Sequence, residues 1–209
     1  MILIGQYDSP FVRRVAIAMR MYGMGYEHWP WSTFADAEKI ARYNPLRRVP
    51  TLVLDDQSAV IESGAILDYL DETADPAKLL IARDGLARRR ALRVCALATG
   101  LADKAVSLVY ERVLHPQISQ AWVERCRSQI DGVLTVLEAE RGYTPFWFGA
   151  APGHADIAVA CALRFTSEAH PGAIDLKRWP KLAHHVADCE GLEPFRAISQ
   201  PFTPPKGNE

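Results

Sequence analysis

Apolar and polar positions along this chain fall into two regimes. In the first regime, short apolar runs alternate with stretches of helical spacing. Residues 1–5 form an apolar run that predicts a strand. Asp8-Ser9-Pro10 then marks a helix start, with Ser9 suited to the N-cap and Pro10 to the first turn. Val12, Val15, Ala16 and Met19 keep one face of that helix apolar, and Gly23 with Gly25 ends it. Residues 26–31 alternate as a second strand, and 34–43 predict a short helix closed by Asn44-Pro45. Residues 50–54 and 59–61, joined by Asp55-Asp56-Gln57-Ser58, predict a hairpin. Ser63 is placed to cap a helix running to about Thr73. The predicted order is β-α-β-α-β-β-α, which implies a mixed sheet with helices packed on it.

After the turn at Asp75-Pro76 the pattern turns wholly helical. Residues 86–114 read as one long helix ended before Pro116. Trp122, Cys126, Ile130, Val133 and Leu137 recur at three- and four-residue steps, as in an amphipathic helix. Residues 156–165 are apolar nearly all round, which predicts a central, buried helix. Shorter helices are expected over 179–189 and 192–198, and the Pro- and Gly-bearing tail 201–209 is expected to be loose. The fold expected is therefore an α/β domain over 1–75, a linker over about 76–83, and an all-α domain over 84–209.

Composition narrows the function. Of 209 residues, 49% are hydrophobic and 23% charged, enough apolar matter for real cores. A formal net charge of -1 supplies no global attraction to nucleic acid or acidic lipid. Arg83 and the run Arg88-Arg89-Arg90 read as a solvated helix face. No apolar run approaches the roughly 20 residues that span a bilayer, and the start has no basic flank, so a cytoplasmic protein is expected. The four cysteines (Cys95, Cys126, Cys161, Cys189) form no CxxC pair and are expected to be buried, reduced and structural. The six histidines are scattered, and the adjacent His184 and His185 would point about 100° apart on a helix, so no metal is expected.

Three segments of the first domain carry candidate chemistry. Around Tyr7-Asp8-Ser9-Pro10, a helix N-terminus offers free N–H groups and a partial positive charge, which favour an anion such as a thiolate. A hydroxyl there can donate to sulfur and depress its pKa, although Ser before Pro is also an ordinary cap. At Arg48-Val49-Pro50, a proline opens a strand; were the bond cis, the Val49 backbone could pair with a peptide-like ligand, while a plain edge position explains it equally. At Glu62-Ser63, a hydroxyl and helix N–H groups suit a carboxylate, or else form a second cap.

Taken together, these pieces resemble the glutathione transferase family. The likeness rests on the segments Ser9-Pro10-Phe11-Val12-Arg13-Arg14-Val15, Asn44-Pro45-Leu46-Arg47-Arg48-Val49-Pro50-Thr51-Leu52 and Ile61-Glu62-Ser63 with Ala65-Ile66-Leu67-Asp68-Tyr69-Leu70. It extends to Trp147-Phe148-Gly149 and Gly153-His154-Ala155-Asp156-Ile157-Ala158 in the helical half. The resemblance implies a thioredoxin-like first domain, glutathione as co-substrate, a small hydrophobic electrophile, a detoxifying transferase and a homodimer. It implies that Ser9 stabilises the thiolate, with Tyr7 as runner-up, since other members use a tyrosine near the end of the first strand. It further implies that Pro50 is cis, that Val49 pairs with the cysteinyl part, that Glu62 and Ser63 hold the γ-glutamyl end, and that Arg48 lies near the glycine carboxylate. Arg14 matches a family arginine with a structural role. Phe11, Val106 and Tyr110 would line the electrophile pocket. Asp103 would either reach the neighbouring subunit's site or be a solvated helix charge. A serine where glutaredoxins carry cysteine argues against disulfide exchange. Gly153 stands where relatives carry Ser or Thr, leaving Asp156 without that hydroxyl partner. A non-catalytic binding module is the rival reading, and isomerases and dehalogenases share the scaffold.

Overall fold

The computed structural model describes residues 1–172 and 175–205. Its sheet-bearing part runs β1 (Ile2–Ile4), α1 (Pro10–Tyr22), β2 (Glu27–Trp29), α2 (Ala37–Ala41), β3 (Thr51–Val53), β4 (Ala59–Ile61) and α3 (Ser63–Thr73). The strand order is β2-β1-β3-β4, with β1 parallel to β2 and antiparallel to β3, and β3 antiparallel to β4. Side chains alternate across this sheet. Leu3 and Leu52 face a core shared with α1 and α3, whereas Ile4 and Val53 face Ile40 of α2. This is the thioredoxin-like order that the resemblance implies.

The start and stop of α1 follow from its sequence. Ser9 is the N-cap, accepting from the Val12 N–H at 3.4 Å, and Pro10 opens the helix. Gly23 closes it at φ 74, a left-handed value that a residue with a Cβ adopts at a cost. Helix α2 is shorter than the 34–43 expected, because Ser32 and Asp36 bind their own neighbouring backbone and hold 32–36 as a turn.

A short 3₁₀ turn over Pro76–Lys78 leads to the helical part: α4 (Gly85–Leu114), α5 (Gln120–Glu140), α6 (His154–Ala169), α7 (Pro180–Glu190) and α8 (Glu193–Ala197). Helix α6 is apolar over most of residues 157–165 because it serves two cores. Ala158, Val159, Ala162 and Leu163 pack with α4 and α5, while Ile157, Ala160 and Cys161 pack with α1. Its start explains Gly153. A Cβ there would lie 2.5 Å from the Leu80 carbonyl oxygen, and the same carbonyl accepts the His154 N–H at 3.0 Å. Asp156 does not lack partners; its carboxylate accepts from the Gly153 N–H at 2.8 Å and the Trp147 N–H at 2.7 Å.

Arg13 ties the two halves together. It is 2% exposed, donates from both terminal nitrogens to Glu190 at 2.6 and 2.8 Å, and also donates to the Ile198 and Phe195 carbonyls. The segment after α8 is held, contrary to the loose tail expected. The Phe202 ring meets Phe165 edge-on at 5.4 Å, and its N–H donates to Glu168 at 2.8 Å. Residues 206–209 of that expectation lie outside the described residues. The four cysteines are free and buried. Burial pushes the Cys161 thiol up to about 11 and raises the others as well.

Candidate functional site

A small notch opens at the end of the sheet, where the loop before β3, the end of β4 and the start of α3 meet α1. Arg48, Val49 and Pro50 line one side, Ile61, Glu62 and Ser63 the other, and Phe11, Asn44 and Leu46 complete it around about 40 Å³. Residues separated by a hairpin in sequence are brought together because β3 and β4 pair in register, Thr51 with Ile61. The Val49–Pro50 peptide bond is cis. Neither the Val49 N–H nor its carbonyl makes a hydrogen bond among the described residues, which leaves both groups for a ligand.

Two residues outside the sequence-derived set shape this loop. Asn44 is buried and donates to the Arg48 carbonyl at 2.9 Å and to Thr51 Oγ1 at 3.2 Å, while its own oxygen accepts from the Leu46 N–H. Its place before Pro45 marked it only as a helix stop. Gly5, at φ 128, lies so close to α1 and the loop that a Cβ would meet Val12 Cγ2 at 2.5 Å and Val49 Cβ at 2.8 Å. The end of β1 can therefore support the Val49 loop only with glycine there.

At the other side, Glu62 rather than Ser63 is the N-cap of α3. Glu62 takes φ 72, and its carboxylate accepts from the Gly64 N–H at 3.3 Å and the Ser63 hydroxyl at 3.2 Å. Ser63 is thereby the first residue of the helix, not its cap as expected from sequence. A positive φ at a residue with a side chain costs about 1–3 kcal/mol and recurs at ligand clamps. It points one carboxylate, one hydroxyl and the positive end of α3 into the same space.

Ser9 and Tyr7 differ in what their hydroxyls do. Ser9 is half-buried, and its oxygen accepts weakly from the Val12 N–H, so its own proton is free to donate at the positive end of α1. The Tyr7 hydroxyl lies 2.7 Å from that of Tyr26, and its ring stacks on His28. Burial raises the Tyr7 phenol, with the Tyr26 contact opposing the shift, and raises Tyr26 too. Neither Ser9 nor Tyr7 lines the notch itself. Burial also raises the Asp8 carboxyl beside them, against backbone donors at Thr203 and Ser9.

On the helical side, Phe11 and Val106 both pack on the core shared by α4, α5 and α6. Tyr110 is partly exposed and meets Phe34 edge-on at 5.4 Å. Phe34 is an apolar wall residue that the sequence assigned only to a helix. Asp103 is half exposed and pairs with Lys104 at 3.0 Å. Among the described residues no group of three or more His, Cys, Asp and Glu is placed to hold a metal ion.

Comparison with known proteins adds to this geometry. Residues 3–78 match the glutathione S-transferase N-terminal domain, and residues 120–188 match the glutathione S-transferase C-terminal domain. The chain belongs to the glutathione S-transferase family. It is 31% identical to the GST-like protein YibF of Escherichia coli (strain K12), over 91% of this chain and 95% of that protein. It is 30% identical to a maleylacetoacetate isomerase of Pseudomonas aeruginosa, over 95% of this chain and 96% of the isomerase. Among solved structures, a glutathione S-transferase from Methylobacterium radiotolerans in complex with glutathione sulfonate superposes with a TM-score of 0.88 at 28% identity, covering 97% of each chain. The small sheet domain and the helical domain described above are thus the two domains of the glutathione S-transferase fold.

Proposed function

We propose that this transferase-family chain binds glutathione in the notch and conjugates its thiolate to a small apolar electrophile. The observation that carries the reading is the convergence of Arg48, the unpaired Val49 backbone, Glu62 and Ser63 on one small space beside the N-terminus of α1. An extended tripeptide fits that sequence of groups. Arg48, exposed and outside every ion pair among the described residues, suits the glycine carboxylate. The Val49 N–H and carbonyl pair with the cysteinyl unit as a strand would. Glu62 and Ser63 suit the amine and carboxylate of the γ-glutamyl end. The sulfur then faces α1, where Ser9 and the helix N–H groups favour the thiolate. The electrophile sits over Phe11, against Val106, Tyr110 and Phe34.

The reading includes a cytoplasmic homodimer, in which Asp103 reaches toward the γ-glutamyl amine of the neighbouring subunit. Sedimentation of the purified chain tests the dimer, and Asp103→Ala tests the contact.

A second reading is supported by the likeness to the Pseudomonas aeruginosa maleylacetoacetate isomerase along nearly the whole chain. The same thiolate would add to one carbon of a cis double bond conjugated to a carbonyl. Its electron pair would pass to the carbonyl oxygen, the former double bond would rotate, and the thiolate would leave again. Conjugation consumes one glutathione per turnover; isomerisation consumes none. Counting free thiol during turnover of an activated aryl halide and of a cis-enedione distinguishes the two. Tight glutathione binding with turnover of neither class would leave a binding module, and no glutathione binding by folded protein would overturn the reading altogether.

A further inference from the structure

The loop that carries Ser9 is a four-residue turn held from outside. The Ser9 N–H donates to the Gln6 carbonyl at 3.2 Å, which closes the turn with Tyr7 and Asp8 as its central residues. The N–H of the first central residue has no partner within such a turn and must find one elsewhere. For Tyr7 that partner is the side-chain oxygen of Gln200, 193 positions away, at 3.1 Å. The Asp8 carboxylate faces the backbone of Thr203. Both central residues of the turn are thus met by the C-terminal segment. That segment rests on α6. Ser199 Oγ accepts from Arg164 Nη2 at 2.9 Å, and the Phe202 N–H donates to Glu168 at 2.8 Å, so an anchor stands on each side of Gln200. Pro201 between them fixes one backbone angle. With its backbone so restrained, Gln200 gives up little further freedom in reaching Tyr7.

We propose that Gln200 is a positioning residue of the thiol site, holding the 6–9 turn so that the Ser9 hydroxyl points at the glutathione sulfur. This rests on the reading above in which Ser9 favours the thiolate, and adds to it what keeps Ser9 in place.

The Ser9 side chain does little to aim itself. Its oxygen makes one long contact, with the Val12 N–H at 3.4 Å, so its direction follows the backbone that carries it. That backbone enters α1 directly from the turn. Before the turn, His28 Nε2 lies 2.8 Å from the Gly5 carbonyl and steadies the end of β1. Within the turn, Gln200 supplies the side-chain hold on the Tyr7 N–H. Loss of that acceptor would leave the N–H to seek water and would let the turn shift under Ser9. A donor displaced by an ångström forfeits much of its effect on a reacting atom. The tripeptide itself would stay in place, because Arg48, Val49, Glu62 and Ser63 belong to other segments of the chain. The signature of Gln200 is therefore a change in thiol ionisation and turnover without a change in affinity.

The test is a pH titration of glutathione bound to the full chain, read as thiolate absorbance, with kcat for an activated aryl halide and the glutathione Kd measured alongside. Gln200→Met keeps the length of the side chain and removes the acceptor. It is expected to raise the pH of ionisation, to lower kcat by about tenfold, as a small misplacement does, and to leave Kd unchanged. Combined with Ser9→Ala, the same substitution is expected to change neither ionisation nor kcat any further, because the two residues act as one unit. Gln200→Ala removes the same acceptor and carries the comparison if the methionine variant does not fold. Ionisation at the wild-type pH in the Gln200 variant, or an equal loss with and without Ser9, would overturn the inference while leaving the glutathione reading intact. If bound glutathione ionises in Ser9→Ala as it does in the wild type, the Ser9 role and this inference fall together. Absence of glutathione binding by the wild-type chain would overturn the glutathione reading as well.

Discussion

The hydroxyls of Tyr7 and Tyr26 lie 2.7 Å apart, and the Tyr7 ring lies flat on His28 with 5° between the planes. This contact turns the phenol toward β2 and away from the notch. Ser9, two residues on, keeps its proton uncommitted at the start of α1. The two hydroxyls that the sequence offers for the sulfur therefore differ in availability.

On that basis Ser9→Ala is expected to lower kcat with an activated aryl halide by about 10²-fold, the scale for losing one anion-stabilising donor. The KM for glutathione should change little, because the tripeptide is held elsewhere. Tyr7→Phe should turn over close to the wild-type rate. Steady-state kinetics of the two variants, together with the pH at which bound glutathione gains its thiolate absorbance, checks both. A Tyr7→Phe enzyme as slow as expected for Ser9→Ala would assign the role to the phenol.

Gly153 gives a stability prediction. A Cβ at this position would press on the Leu80 carbonyl at 2.5 Å, and that oxygen is fixed by the His154 N–H. Gly153→Ala should cost about 1–3 kcal/mol, as overpacking does. Gly153→Ser should recover little of this, although a serine cap is ordinarily worth about 1 kcal/mol, because its Cβ makes the same approach. Urea unfolding midpoints of the three proteins measure it.

His185 predicts a pH dependence. It is 0% exposed, accepts at Nδ1 from Arg141 Nε at 3.3 Å, and burial with the Arg141 charge pushes it down to about 4. An unfolded chain takes up that proton near 6.5. Between the two values the unfolded state binds more protons, so stability falls as pH is lowered from about 6.5 to about 4. Over the whole window the loss is about 3 kcal/mol, with most of it recovered above pH 7. Denaturant midpoints at several pH values should fall more steeply for the wild-type chain than for His185→Gln. Comparing the two slopes removes contributions from groups away from this site, including the lowered His170.

Much of the fold was legible because local rules and global packing agree. Ser9-Pro10 and Gly23 bound α1 as capping chemistry dictates, and the even apolarity of residues 156–165 reported a helix with a core on each side. The notch was legible only as three separate segments, since their meeting depends on the register of β3 with β4. What escaped depends on backbone angles and long-range contacts. The positive φ of Glu62 moved the α3 cap back by one residue. Asn44 gave no sign that its amide would hold the Arg48 carbonyl, and Phe34 none that it would meet Tyr110, 76 positions away by their numbers. The tail read as loose by composition, yet Phe202 and its N–H are fastened by Phe165 and Glu168 of α6.

The Arg13 contacts set a limit on recombination within this family. The side chain leaves the first helix and finds its four acceptors in the last two and the residue that follows them, at Glu190, Phe195 and Ile198. A chimaera that joined this sheet domain to a foreign helical domain would strand a guanidinium in an apolar seam unless the graft brought an equivalent carboxylate and two equivalent carbonyls with it. The halves of such a protein must drift through sequence space as a matched pair, and the thiol-handling end inherits constraints written nearly two hundred residues downstream.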